Sequence, residues 1–384
     1  MIRALGVLLV LAIALPSAVG CGGGSDRPTG QPGDRPAEGD RPRVVSATDP
    51  PIKVARREQV MVIHDLEAKQ TRLLFRPKAS YLNLNGRRLV WAEGKTICYC
   101  DLPDGEVTTF ERDQESGRVA ADGDRIAYES KAGITVRNLA DNTTRDFKLH
   151  TTHWLALDGD LLVQVRGAMG NYFSTVRLDT GTVTSPKDRI RGAAGLAVRD
   201  GRVAYTTMSR ANDQWKTTLT VLDTATGQSK SFSLPRTYGF LRFVGDRLVG
   251  ASSTARKTSL WTCDPATGEM AQATDVTHFN VARGYGCDGR RLAWASDTTV
   301  EGKSKPVVWV WDSADGSLRD VAVEVQANLP KMEMVASDES RKLFGGKATP
   351  TLRRTLGHKS LTMGGGFIVW SEEWQVLWTV PAKG

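Results

Sequence analysis

The sequence predicts an all-β fold, a β-propeller of about seven four-stranded blades, on three observations. A turn-forming glycine runs into a short apolar strand at seven places, a second turn of Asp-Thr-x-x-Gly type falls between those marks, and the strands are apolar on both sides. Taken at Gly86, Gly123, Gly159, Gly201, Gly245, Gly289 and Gly365, the marks are 37, 36, 42, 44, 44 and 76 residues apart. Periods near 40 belong to radial arrays of four-stranded units.

The chain opens with a basic head, Met1-Ile2-Arg3, an apolar run of twelve residues from Ala4 to Leu15, and then Ala18-Val19-Gly20-Cys21. That run is too short to cross a bilayer as a helix, so residues 1–20 are expected to be a signal peptide. The small residues before a lone Cys resemble the lipobox of bacterial lipoproteins. The resemblance implies that Cys21 is acylated, becomes the mature N-terminus and attaches the protein to a membrane. A secreted protein cut before Cys21 is the alternative. Residues 21–53 hold Gly22-Gly23-Gly24-Ser25, Asp-Arg-Pro repeats ending at Pro28, Pro36 and Pro42, and Pro50-Pro51. Almost nothing apolar precedes Val44, so this stretch reads as a flexible tether. Roughly 30 residues of such coil reach about 30 Å, and about 90 Å when fully extended.

Residues 54–384 are expected to make the ring. The first hairpin, Val60–Ile63 turning through His64-Asp65-Leu66-Glu67 to Arg72–Phe75, supplies the outer two strands of a closing blade. Six complete units follow from about Tyr81 to Glu324. Each unit reads strand, glycine turn, strand, loop, strand, Asp-type turn, strand, as in Asp122-Gly123-Asp124-Arg125 and Asp223-Thr224-Ala225-Thr226-Gly227. Gly, Asn and Asp tolerate the positive φ of a tight reversal, so both submotifs are hairpin turns. Strands such as Leu219-Thr220-Val221-Leu222 need neighbours on both faces, which stacking in a closed ring supplies. Leu361 to Trp370 is expected to give the inner two strands of the closing blade. Val376–Val380 resembles a further strand, which either shares that blade or leaves residues 325–360 to hide an eighth. Seven blades are preferred to six or eight, because Lys331–Ala336 reads as a short helix inside an irregular insertion over 325–360.

Sites of chemistry are thin. Cys98 and Cys100 flank Tyr99 on one strand and face one way, with no His at ligand spacing. They are expected, with Cys263 and Cys287, to be small buried side chains, a disulfide such as Cys263 to Cys287 being left open. The sequence has no nucleophile elbow, zinc-protease helix, phosphate-binding glycine loop or calcium loop. His64, His150, His153, His278 and His358 fall in different units. No catalytic residue, metal ligand or cofactor is therefore nominated.

Surfaces are more informative. In a four-stranded meander the first and third turns lie at one end, and the second turn and the link to the next blade at the other. The short turns occupy the first end, so the long loops gather at the second, where binding groups usually sit. The candidate binding residues there are Arg166, Arg210, Trp215, Arg256, Lys257, Lys303, Lys305, Arg353 and Arg354. With 51 Lys and Arg against 43 acids the chain is +8, and loss of Arg3 leaves 50 against 43, or +7. A basic face attracts anionic partners such as wall polymers, acidic proteins or headgroups. Nucleic acid is not expected at an exported address, and the protein is expected to be a monomer. Trp91, Tyr128, Tyr205, Trp294 and Trp370 recur at equivalent positions and are expected to pack blade on blade. Trp215 and Trp374, in expected loops, are the aromatic candidates for binding.

Across about residues 55 to 384 the pattern resembles the TolB-like and YVTN-like (WD40-type) propellers of bacterial envelopes. Thr218-Leu219-Thr220-Val221-Leu222-Asp223-Thr224-Ala225-Thr226-Gly227 is similar to a hairpin of the second kind, and Asp122-Gly123-Asp124-Arg125-Ile126-Ala127-Tyr128 to a turn of the first. The resemblance implies protein or envelope binding without catalysis. The expected function is a lipid-anchored, extracytoplasmic scaffold for an envelope protein or anionic polymer. An enzyme acting on a glycan or lactone at the central channel is the alternative. Acids converging at the channel favour the enzyme, and a mouth lined by Arg or Lys favours the binding module.

Overall fold

The computed structural model describes residues 44–46, 52–54, 58–75, 81–115, 117–149, 154–166, 172–186, 190, 195–211, 214–234, 240–253, 258–276, 285–300, 303–321, 324–325, 328–329, 332–334 and 349–379. Four strands come first: β1 (Val44–Ser46), β2 (Ile52–Val54), β3 (Glu58–Asp65) and β4 (Gln70–Phe75). Blade 1 holds β5 (Leu82–Asn85), β6 (Arg88–Glu93), β7 (Thr96–Asp101) and β8 (Thr108–Glu111). Blade 2 holds β9 (Val119–Asp122), β10 (Arg125–Ser130), β11 (Gly133–Asn138) and β12 (Thr144–Phe147). Blade 3 holds β13 (Trp154–Asp158), β14 (Leu161–Arg166), β15 (Tyr172–Arg177) and β16 (Val183–Thr184). Blade 4 holds β17 (Leu196–Arg199), β18 (Arg202–Ala211), β19 (Gln214–Asp223) and β20 (Ser229–Leu234). Blade 5 holds β21 (Phe240–Val244), β22 (Arg247–Ser253), β23 (Thr258–Cys263) and β24 (Met270–Val276). Blade 6 holds β25 (Tyr285–Cys287), β26 (Arg291–Val300), β27 (Lys303–Asp312) and β28 (Leu318–Asp320). After β29 (Met332–Met334) come β30 (Thr349–Gly364) and β31 (Phe367–Thr379).

Blades 1 to 6 are antiparallel meanders paired in chain order, and the seventh sheet runs β1-β4-β3-β31-β30. Its inner pair comes from the C-terminal part of the chain and its outer strands from the N-terminal part, as expected. The first strands meet in a closed circle, β5 to β9, β13, β17, β21, β25, β30 and back to β5. The ring therefore has seven blades, which excludes the counts of six and eight. All seven glycine marks turn with positive φ, from 53° at Gly365 to 89° at Gly289.

Four expectations are corrected. Val44–Ser46 extends the closing blade beside β4, and Ile52–Val54 pairs in parallel with β29, so strand starts inside the stretch read as tether over 21–53. Its β-branched residues, the first after the Pro-rich repeats, carry that preference. Met332–Met334 is a strand and not part of a helix, because β2 offers it an edge to pair with. The irregular insertion ends before Thr349, since Thr349–Leu356 already forms strand with Glu372–Thr379. Val376–Thr379 is the end of β31 rather than a separate strand, the ladder shifting between Leu356 and Leu361.

The core lies between blades. Trp91, Trp294 and Trp370 occupy matching places on β6, β26 and β31 at 0 %, 0 % and 2 % exposure, and Tyr128 and Tyr205 are buried at the same level of their blades. The indole N–H of Trp91 donates to Glu93 Oε1 at 2.6 Å and that of Trp370 to Glu372 Oε1 at 2.8 Å. A tryptophan two residues before an acid is thus a buried hydrogen-bonded pair.

The glycine turns also stitch neighbouring blades together. Arg88 Nη1 of blade 1 donates to Gly123 O at 2.6 Å and Asp124 Oδ1 at 2.9 Å in blade 2. Arg125 of blade 2 reaches Asp160 of blade 3 at 2.6 Å. Asp122 accepts the Gly159 N–H at 2.7 Å, and Asp158 accepts the Gly201 N–H at 3.3 Å. In the Asp-Gly-Asp-Arg repeat the glycine makes the turn and the charged residues join it to the blades on either side.

Candidate functional site

The start of each inner strand, the reversal between the second and third strands and the link between blades share one end of the ring. At that end the inner strands open a cavity of about 250 Å³ on the axis. Tyr81 and Arg118 stand just before β5 and β9, Trp154 and Tyr285 begin β13 and β25, Arg242 is the third residue of β21, and Thr362 lies on β30. Going round the channel, blades 1, 2, 3, 5 and 6 thus contribute Tyr, Arg, Trp, Arg and Tyr. Among the described lining residues there is no carboxylate.

Both arginines are held in place. Arg242 Nη1 donates to Leu196 O and to Leu241 O, each at 2.7 Å, and Nη2 donates to the Tyr285 hydroxyl at 2.7 Å. Its guanidinium carbon lies 4.4 Å from the Tyr285 ring centroid and 5.7 Å from that of Trp154. The Arg118 guanidinium covers the Tyr81 ring at 4.3 Å, and its backbone N–H donates to Glu129 Oε2 at 3.0 Å. Cation–π contact fixes a guanidinium without neutralising its charge. The cavity is therefore a positively charged cup with aromatic walls.

Polar groups between the charges have defined roles. Asn83 Oδ1 accepts the Ala121 N–H at 2.9 Å, which leaves its amide NH₂ as the remaining donor. Thr362 Oγ1 accepts the Leu84 N–H at 3.1 Å, so its hydroxyl hydrogen remains to be donated. A second cavity of about 380 Å³ lies off the axis on blade 2, beside Glu129, Lys131 and Lys148. It mixes both charge signs, and the axial cavity is the one to which several blades contribute.

Of the nine candidate binding residues, Arg166 ends β14, half-buried and opposite Tyr172. Arg210 and Trp215 are cross-strand partners near the end of the β18–β19 hairpin. Lys303 and Lys305 pair with Val300 and Thr298, and Arg353 and Arg354 with Gln375 and Trp374. These residues, and Trp374, lie in strands rather than in the loops expected. Antiparallel ladders continue past the many-stranded part of blades 4, 6 and 7 as two-stranded arms, for which Asn212-Asp213 and Glu301-Gly302 were the turn signals. Strand direction places all the arms at the end of the ring where the axial cavity opens. Arg256, Lys257 and Cys21 lie outside the described residues.

Cys98, Cys100, Cys263 and Cys287 are free thiols. Cys98 and Cys100 pack in one apolar cluster and Cys263 in another. Burial pushes the Cys98 and Cys100 thiols up to about 12 and the Cys263 thiol to about 11. They stay protonated at neutral pH and are poor ligands and nucleophiles. Among the described residues no group of three His, Cys, Asp or Glu side chains is placed to hold a metal ion.

The fold and cavity define a seven-bladed β-propeller with an arginine- and aromatic-lined mouth. No known family's sequence pattern matches the chain, and no curated protein does. Solved structures with a similar fold include the β-propeller domain of the trilobed protease from Pyrococcus furiosus, at 13% identity over 80% of this chain and 84% of that one, TM-score 0.40. An oligogalacturonate lyase in complex with manganese is similar at 11% identity over 84% and 99% of the two chains, TM-score 0.45. An acylaminoacyl peptidase from Pyrococcus horikoshii is similar at 11% identity over 79% of this chain and 45% of its own, TM-score 0.40. The likeness is one of fold, and the chemistry of this chain rests on its own residues.

Proposed function

We propose that this chain is a lipid-anchored, extracytoplasmic propeller of the bacterial cell envelope that binds without catalysis. It presents the arm-bearing end of its ring to an envelope protein or anionic polymer. The observation that supports this reading is the axial cavity, where Arg118 and Arg242 stand among Tyr81, Trp154 and Tyr285 and no described carboxylate lines the wall. A glycosidase of the usual kind needs a pair of positioned carboxylates beside its substrate. A positively charged mouth instead draws in an anionic partner and orients it. Attachment through Cys21 keeps the ring at the membrane that carries such partners.

The test is affinity capture from envelope extracts on the full-length chain, washed across a salt gradient. A specific partner that elutes as salt rises is the expected result, since screening weakens attraction between exposed charges. Capture of nothing at low salt overturns the proposal.

A further inference from the structure

We infer that the axial cavity is a receptor site for a sugar acid, whose carboxylate seats on Arg118 and whose hydroxyls meet the donors of Asn83 and Thr362. This rests on the reading of the arm-bearing end as the binding face, and it names the ligand chemistry.

Three properties carry it. The first is the charge of the site. Among the described residues no carboxylate pairs with the Arg118 guanidinium, which is stacked on Tyr81 at 4.3 Å. Stacking uses the face of the fork and leaves its edge of N–H groups for a planar carboxylate. Arg242, pinned by Leu196 O, Leu241 O and the Tyr285 hydroxyl, adds fixed positive charge on the far wall.

The second is the balance of donors and acceptors. The acceptor atoms of Asn83 and Thr362 are committed to Ala121 and Leu84, so both side chains have donors left to give. Such a cavity suits an anion rich in acceptor oxygens, and a hydrocarbon acid would leave those donors without partners. Trp154 and Tyr285, each with Arg242 against its ring, add apolar wall on which the less polar side of a sugar ring rests.

The third is size. About 250 Å³ falls below the range of roughly 300 to 1,000 Å³ usual for drug-sized ligands. One sugar ring fits, either as a free monosaccharide acid or as the end unit of an acidic polysaccharide.

Isothermal titration of the full-length protein with D-glucuronate tests the site, with D-glucose, inorganic phosphate and polygalacturonate as companion probes. Expected are saturable one-to-one binding of glucuronate, none of glucose, and no displacement by equimolar phosphate. Arg118→Gln weakens glucuronate at least about tenfold, the scale of one charge-assisted contact, and Arg118→Lys recovers part of it. Thermal melting of both variants confirms that they fold. Polygalacturonate competing with glucuronate identifies a chain end as a source of the ligand, and glucuronate binding alone identifies the free acid.

Displacement by phosphate at equal concentration overturns the proposal, because the site then reads charge alone. So does polygalacturonate binding that Arg118→Gln leaves unchanged, which moves recognition to the arms. Absence of glucuronate binding while envelope capture stays salt-sensitive sinks the sugar-acid site and leaves the binding module standing. Loss of both sinks both.

Discussion

Replacing Gly365 by Ala tests the seam at which the ring closes, and Gly123→Ala supplies its control. Both glycines sit in the same kind of turn with nearly the same φ, 53° and 54°. Each alanine therefore carries the same left-handed backbone cost, about 1–2 kcal/mol. Their surroundings differ. A Cβ on Gly123 meets nothing within 4 Å, whereas one on Gly365 presses into the Gly86 carbonyl oxygen and lies 2.7 Å from Gly86 C and 3.2 Å from Arg87 N. Those atoms are the backbone of blade 1, which cannot rotate away as a side chain could. Overpacking of that kind adds about 1–3 kcal/mol. Gly123→Ala should thus lose about 1–2 kcal/mol and Gly365→Ala about 2–5 kcal/mol, read from urea midpoints with fluorescence following the buried tryptophans. Equal losses would mean that blades 7 and 1 do not meet as closely as described, and the reasoning about closure would be wrong.

Two further predictions concern pH. His64 is fully buried on β3, with Nδ1 3.0 Å from Thr71 Oγ1 and Nε2 3.6 Å from Glu324; burial lowers its pKa below the usual 6.5, against the smaller pull of Glu324. Its stabilising contribution is complete above that unfolded value and is lost as pH falls through the folded one, so His64→Gln should flatten the drop in urea midpoint between about pH 7 and pH 5, and an unchanged slope would count against it. Asp158 is pushed up by burial and by Asp122 and Asp200, so its charged form is disfavoured in the folded state. Asp158→Asn should raise the urea midpoint at pH 7, the gain shrinking as pH falls toward the ordinary carboxylate range, and a lower midpoint at pH 7 would show that the charge-assisted strength of its bond from the Gly201 N–H outweighs the burial cost and the repulsion.

Much of the ring was legible because its turns repeat a backbone requirement. The glycine at each mark needs positive φ, and a requirement of that kind leaves a letter in the sequence. Recurrence of Trp91, Trp294 and Trp370 was legible for the same reason, since each fills the same gap between blades. The axial cavity was harder to read. Tyr81, Arg118 and Trp154 each stand five residues before their glycine mark, so the position was visible, but the residue type changes from blade to blade and no local motif forms. What joins Arg118 to Tyr81, or Arg242 to Tyr285, is the circular order of blades. The arms were misread for a different reason: Thr299-Val300, Thr349, Thr351 and Thr355 favour strand, yet Pro350 and the polar and charged neighbours gave these stretches the look of loops.

The two ends of the channel differ in how their charges are used. At the glycine-turn end the charges bridge blades: Arg88 is held by Asp101 and Asp124, Arg125 by Asp160, and Asp122 by Asn85 and the Gly159 N–H. Opening that end to a ligand would break contacts that hold neighbouring blades in register. At the other end the arginines are positioned by backbone carbonyls and aromatic rings, which fix their direction and leave their positive charge in place. Under the proposed binding reading, closure and recognition are thereby separated along the axis of the ring. A substitution at Arg118 should change what the cavity holds while leaving the blade seams intact, whereas one at Arg88 should loosen the seam between blades 1 and 2 and leave the cavity chemistry unchanged.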